Sequence, residues 1–216
     1  MKIALIDYGA GNLRSVANAL REIGADPTIA SGPQDLEGAT HLILPGVGSF
    51  GDCMSELTKR GLVEPIREWV KQGRPYLGIC LGYQILFDSS EESPGVSGLG
   101  LFRGAVRRFK EVDSLKIPHM GWNSVIPTHP EQELWSELGA EPFFYYVHSF
   151  FPVPDDPSVI AAQTEYGADR FAAAIGQDKL FACQYHPEKS QDAGLRLIRN
   201  FLIFTEKDLE LAATAP

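Results

Sequence analysis

Along the first 87 positions, short apolar runs alternate with longer stretches in which apolar residues recur at helical spacing. Residues 3–6 form a four-residue apolar run ended by Asp7 and the Gly9-Ala10-Gly11 turn, the pattern of a fully buried strand. Leu13, Val16, Ala17, Leu20 and Ile23 then share one helical face, with Asn12 placed to cap it and Gly24 to stop it. A weaker strand is expected over residues 27–30 and a buried one over 42–44, closed by Pro45-Gly46. Phe50, Met54 and Leu57 predict a helix, as do Leu62, Ile66, Trp69 and Val70 before Gly73. A strand over 76–79 and a short helix over 83–87 follow. This alternation predicts a parallel sheet with helices on both faces.

After Phe87 the texture changes. Residues 89–100 are rich in Glu, Ser, Pro and Gly and read as a surface loop. Strand-like segments then cover 101–110, 143–151, 159–164, 171–176 and 180–185 without long helices between them. Phe181, Cys183 and Tyr185 alternate clearly, and Gln177-Asp178-Lys179 supplies a turn before them. Residues 131–138 offer one short helix, and Leu195, Ile198, Phe201 and Leu202 mark a final one, with fraying expected after Lys207. The expectation is an α/β fold: a mixed, largely parallel central sheet covered on both faces, with an antiparallel strand region in the second half. No repeat or long linker divides it, so residues 1–216 read as one domain.

Composition narrows the function classes. The 216 residues are 44% hydrophobic and 22% charged, ordinary for a globular protein. A formal net charge of −9 argues against an electrostatic nucleic-acid or anionic-membrane partner. Cys53, Cys80 and Cys183 are too few and scattered for a disulfide framework, and no Cys-x-x-Cys suggests zinc. The apolar run at residues 3–6 is too short for the core of a signal peptide, and no later run approaches a membrane span. A reducing, cytoplasmic setting is expected.

The chemistry-bearing stretch is Gly78-Ile79-Cys80-Leu81-Gly82, a thiol between two glycines where a strand turns into a helix. That is the sulfur version of a nucleophile elbow: a tight, strained turn projects the side chain from the sheet end. A helix N-terminus also favours thiolate. Taken alone, the stretch is equally open to a buried structural thiol. A thiol nucleophile needs a base, and the base needs an orienting group. Among five histidines, His186 ends a predicted strand within Tyr185-His186-Pro187-Glu188. Pro187 keeps His186 extended, so Glu188, two residues on, can lie beside the imidazole and set its tautomer. The tripeptide by itself is equally a surface turn. Pro45-Gly46-Val47-Gly48 follows the neighbouring strand and leaves the Val47 peptide free to turn its N–H toward the thiol. Leu81 N–H, directly after the nucleophile, would be the second oxyanion donor.

Together, Pro45-Gly46-Val47-Gly48, Gly78–Gln84 and His186-Pro187-Glu188, in this order, resemble the triad (class I) glutamine amidotransferases. Within the family the sequence is most similar to glutaminase subunits of imidazole glycerol phosphate synthase. Asp7–Asn12, Pro118–Asn123, Val147-His148-Ser149-Phe150 and Lys189-Ser190 carry that likeness. The resemblance implies glutamine hydrolysis by Cys80, His186 and Glu188, with Val47 and Leu81 as oxyanion donors and Gly48, Gln84 and Ser149 binding glutamine. It implies no metal or organic cofactor. The implied partner is a (β/α)₈-barrel cyclase subunit that receives the ammonia, with Asn12, Met120, Trp122 and Lys189 as contact candidates. Free ammonia becomes mostly ammonium in neutral water, so handing it over within protein is chemically sensible. A glutaminase serving anthranilate or aminodeoxychorismate synthase, a standalone hydrolase of γ-glutamyl peptides, and a non-catalytic partner module remain alternatives.

Overall fold

The computed structural model describes residues 1–10, 12–111 and 115–214, with side chains described as far as residue 206. In chain order the elements of the first half are β1 (Ile3–Ile6), α1 (Leu13–Glu22), β2 (Thr28–Ala30), β3 (His41–Gly46), α2 (Phe50–Lys59), α3 (Val63–Lys71), β4 (Tyr76–Cys80) and α4 (Leu81–Gln84). Then come β5 (Phe87–Ser90), β6 (Phe102–Arg108), β7 (His119–Ser124), β8 (Ile126–Pro127), β9 (Phe143–His148) and β10 (Phe150–Pro154). The last are β11 (Ile160–Tyr166), β12 (Asp169–Gln177), β13 (Leu180–Cys183) and α5 (Gln191–Thr214).

An eight-stranded sheet in the order β2-β1-β3-β4-β13-β12-β11-β8 forms the centre. The β2 to β13 stretch is parallel and the β12-β11-β8 edge antiparallel, the mixed, largely parallel arrangement expected. Strand alternation divides apolar side chains between two cores. Ile3, Leu5, Leu77, Phe181 and Cys183 pack with α1 and α5 on one face. Ala4, Ile6, Leu42, Leu44 and Ala182 pack with α2 and α3 on the other. Both faces being covered explains why β1, β3, β4 and β13 are buried at every position. Among the described residues, no helix is long and apolar enough to cross a membrane.

Several expectations need correction. The segment 143–151 is two strands: β9 pairs with β7, while β10 pairs with β6 in a separate three-stranded sheet. The chain changes sheets at Ser149, whose carbonyl accepts from Phe109 N–H. Part of the expected loop 89–100 is strand, because β5 pairs with β6. Strands β7 and β8 lie where none was expected, and only one 3₁₀ turn, Glu133–Trp135, stands in place of the helix over 131–138. Asn12 does not cap α1 through its side chain. Helix α5 continues to Thr214, through the tail expected to fray after Lys207.

Candidate active site

Three strand ends meet at one edge of the sheet. Register pairs Gly46 with Cys80 across β3 and β4, so the Val47 loop lies beside the thiol. Strand β13 runs parallel on the other side of β4 and delivers Gln184–Glu188 to the same edge. This is the carboxyl end of the parallel strands, where open α/β sheets place their ligands.

Cys80 has φ 55° and ψ −103°, a left-handed backbone that an L residue with a side chain seldom adopts. The strain therefore falls on the cysteine itself, and its glycine neighbours supply room. A Cβ on Gly78 would lie 2.7 Å from the Gly82 carbonyl oxygen, and one on Gly82 would overlap the Leu44 carbonyl. Helix α4 is one turn long, so its dipole acts on the thiol only weakly.

His186 and Glu188 are nearly fully buried, and His186 Nδ1 lies 2.8 Å from Glu188 Oε1. The pairing does not arise from an extended segment. Strand β13 ends at Cys183, and Pro187 opens a 3₁₀ turn that folds Glu188 back under the ring. Asn12 Nδ2 reaches the same carboxylate oxygen at 3.5 Å, so Asn12 touches Glu188. Burial by itself lowers the His186 pKa. Cys80 and then Glu188 outweigh it, and the imidazole is held above its ordinary range. His186 Nε2 is buried and makes no hydrogen bond to nitrogen or oxygen among the described residues; the group it interacts with is the Cys80 thiol. Cys80, His186, Val47, Leu81, Gly48, Gln84 and Ser149 all line one cavity of about 400 Å³.

The Val47 amide is engaged elsewhere. Its N–H donates to the Tyr8 hydroxyl at 3.0 Å, and that hydroxyl donates to the Val47 carbonyl at 3.0 Å. Burial raises the Tyr8 pKa and keeps the phenol protonated, as this double contact requires. Gly48 beside it has φ +99° and a Cβ there would meet open space, whereas a Cβ on Gly46 would press into Leu81.

Sequence reasoning missed two groups at the thiol. Gln184 is fully buried and donates toward Cys80 Sγ at 3.5 Å; it also accepts from Gln84 Nε2 at 3.0 Å. A lone amide inside the apolar run 180–185 was the available signal. Tyr8 carried none, since a tyrosine after a strand is common. The other cysteines differ sharply in setting: burial pushes Cys53 up to about 12 and Cys183 well above the usual thiol value. Of the contact candidates, Met120 and Trp122 are 61% and 47% exposed on β7, and Lys189 Nζ sits 5.9 Å from the Tyr145 ring. Trp122 meets the same ring edge-on at 6.4 Å.

The chain is similar to known proteins over almost its whole length. The family model described as glutamine amidotransferase class-I matches residues 4–204. The imidazole glycerol phosphate synthase subunit HisH of Thermosynechococcus vestitus is 48% identical over 200 residues, covering 93% of this chain and 95% of that protein. The protein of the same name from Trichodesmium erythraeum is 48% identical over 212 residues, covering 98% and 99%. Among solved structures, PurLQS from Thermotoga maritima superposes with a TM-score of 0.74 at 22% identity, over 94% of this chain and 98% of that one. The glutaminase domain of Trypanosoma brucei CTPS superposes at 0.60 and 15% identity, over 96% and 94%. These two share the fold. With a family match across almost the whole chain and near-complete relatives sharing almost half its residues, this chain belongs to the class I glutamine amidotransferases.

Proposed function

We propose that the chain is the glutaminase subunit of an imidazole glycerol phosphate synthase, acting in histidine biosynthesis as a single domain. The observation that carries this reading is that His186, backed by the buried Glu188 carboxylate, lines one cavity together with Cys80. Glutamine enters between Gly48, Gln84 and Ser149. Cys80 Sγ attacks the side-chain amide carbon as its proton passes to His186 Nε2, the nitrogen turned to the thiol. The carbonyl oxygen gains negative charge, which the N–H groups of Leu81 and Val47 stabilise. Leu81 stands at the first position of α4, where an amide has no intrahelical acceptor. Val47 must first leave Tyr8, so the oxyanion hole is half assembled in the free chain. Collapse expels ammonia, which takes the proton from His186 and leaves a γ-glutamyl thioester. Water then loses a proton to His186, attacks the thioester and releases glutamate and the thiol. Glu188 holds the ring in the tautomer with Nδ1–H toward the carboxylate.

The ammonia passes to a (β/α)₈-barrel cyclase subunit docked against Met120, Trp122 and Lys189. That partner makes imidazole glycerol phosphate and an aminoimidazole carboxamide ribotide. Exposed methionine and tryptophan on one strand suit such a contact. The deciding experiment measures glutamine hydrolysis with and without the cyclase, for the wild-type chain and Cys80→Ala. Stimulation by the cyclase, abolished in Cys80→Ala, is the expected result. Unchanged turnover in Cys80→Ala would overturn the mechanism, and activation by a different synthase alone would overturn the partner.

A further inference from the structure

Strand β7 has two unlike faces. Met120 and Trp122 point to solvent, while His119 and Asn123 point inward. From Asn123 a line of hydrogen bonds runs to the glutamine cavity. Asn123 Nδ2 lies 3.3 Å from His119 Nε2, His119 Nδ1 lies 3.0 Å from His148 Nε2, and His148 Nδ1 lies 2.8 Å from the Phe150 carbonyl. The same carbonyl accepts from Gln84 Nε2 at 3.0 Å, and Gln84 continues through Gln184 to Cys80. His119 is also held flat, stacked between Tyr146 and Tyr166 at 4.6 and 4.0 Å.

A fixed acceptor at one end and a fixed donor at the other give this line one proton order. A carbonyl oxygen only accepts, so His148 must carry its proton on Nδ1, leaving Nε2 to accept from His119. His119 must then carry its proton on Nδ1 as well, leaving its Nε2 to accept. Asn123 presents an N–H there because its Oδ1 already accepts from Ser124 N–H at 2.8 Å and its Nδ2 also donates to the Glu165 carbonyl at 2.8 Å. Both rings are therefore neutral. Burial supports this, lowering His119 to about 4; burial and then His119 lower His148 to about 3.

We propose that Asn123, His119 and His148 form a proton-ordered line of positioning residues that couples the exposed Met120–Trp122 face of β7 to the wall of the glutamine cavity. The inference rests on the reading that the cyclase docks on that face. Pressure on one face of a strand moves the groups on its other face. Here the displaced groups end on the Phe150 carbonyl, beside the point where the chain changes sheets at Ser149. Asn123 and His119 lie behind the cavity and His148 forms part of its wall; all three act by fixing where Gln84 and the 147–150 segment stand.

The test exploits the proton order. In Asn123→Asp the donor becomes an acceptor of the same shape. A carboxylate beside His119 favours a proton on Nε2 in addition to Nδ1, as Glu188 does for His186, so the ring becomes cationic and its charge now faces His148. Asn123→Ala removes the donor without reversing anything. Imidazole ¹⁵N shifts report the tautomers in the full-length free chain. Glutamine hydrolysis at saturating cyclase reports the coupling. The expected result is a neutral Nδ1–H form of both rings in wild type and in Asn123→Ala, and a doubly protonated His119 in Asn123→Asp. Stimulation by the cyclase should fall about tenfold in Asn123→Asp and persist in Asn123→Ala. A charged or Nε2–H ring in wild type overturns the proposal, as does equal loss in the two variants. Equal stimulation of all three chains overturns the coupling while leaving the partner intact. A wild-type chain indifferent to the cyclase removes the partner reading and the coupling together.

Discussion

Two buried histidines sit near one another in this protein and behave in opposite ways. His186 pairs with the Glu188 carboxylate and is held above the ordinary imidazole range. His148 pairs with His119 and a carbonyl, and is pushed down to about 3. Burial works against the charged form in both. The difference is the partner: the Glu188 carboxylate and an ionised Cys80 favour a positive ring, whereas for His148 the Phe150 carbonyl favours it but cannot offset burial and the neighbouring His119. Burial alone therefore does not identify a catalytic histidine. What matters is the charge facing the ring and whether one nitrogen is turned to a nucleophile, as His186 Nε2 is to Cys80.

The comparison can be broken most severely at its catalytic arm. His186→Ala should lower kcat by about 10³-fold or more, whereas His148→Gln should leave chemistry far less affected and act mainly on KM for glutamine. A single-turnover assay with saturating glutamine distinguishes the two, and comparable kcat losses would erase the distinction. Next in size is Glu188→Gln, which keeps the shape but removes the charge. It should cost about a hundredfold in kcat and move the His186 titration to lower pH, read by NMR; a titration left in place would mean the carboxylate is not what raises the ring.

A smaller effect of opposite sign is expected at Tyr8. Tyr8→Phe deletes both hydrogen bonds to the Val47 peptide, each worth about 1 kcal/mol net. Steady-state assays should then show glutamine hydrolysis by the free chain rising about tenfold. A fall would assign Tyr8 to support of the cavity instead of restraint of the amide.

The smallest effect lies in acid stability. His41, His119 and His148 have folded-state pKa values depressed to about 4, 4 and 3. Unfolded histidine binds its proton below about pH 6.5, so over the window from there to pH 4 the unfolded chain holds more protons and stability rises with pH. Urea unfolding across that window should give this positive slope. His119→Phe should remove about one proton from it. His186 works the other way, since its raised value makes its contribution largest at low pH and lost as pH climbs through the folded pKa.

How much of this was readable from the chain follows from what each residue's neighbours are in sequence. The elbow was legible because all its parts are local: the strand, the thiol and the two glycines fall within residues 76–82. The His186–Glu188 proximity was legible too, though for a different reason from its cause. Extension was expected, and a proline-led turn does the work. Strand β7 was invisible because its polarity is inverted: histidine faces in while methionine and tryptophan face out. A hydropathy pattern assumes the opposite. Tyr8 and Val47 lie 39 residues apart, and Gln184 and Cys80 lie 104 apart, so neither contact has any local signature. The separation of β9 from β10 was hidden in an unbroken apolar run whose one small polar residue, Ser149, marks the change of sheet.

The inverted strand also bears on how the protein is made and stored. Met120, Trp122 and Phe143 together leave a broad greasy edge facing water on β7 and β9, at 61%, 47% and 56% exposure. Such an edge is a concentration problem: two free copies meeting there gain by hiding it from solvent. Its cost rises with the number of uncovered copies, which makes balanced synthesis of the chain and whatever covers that edge a matter of solubility before it is one of metabolism.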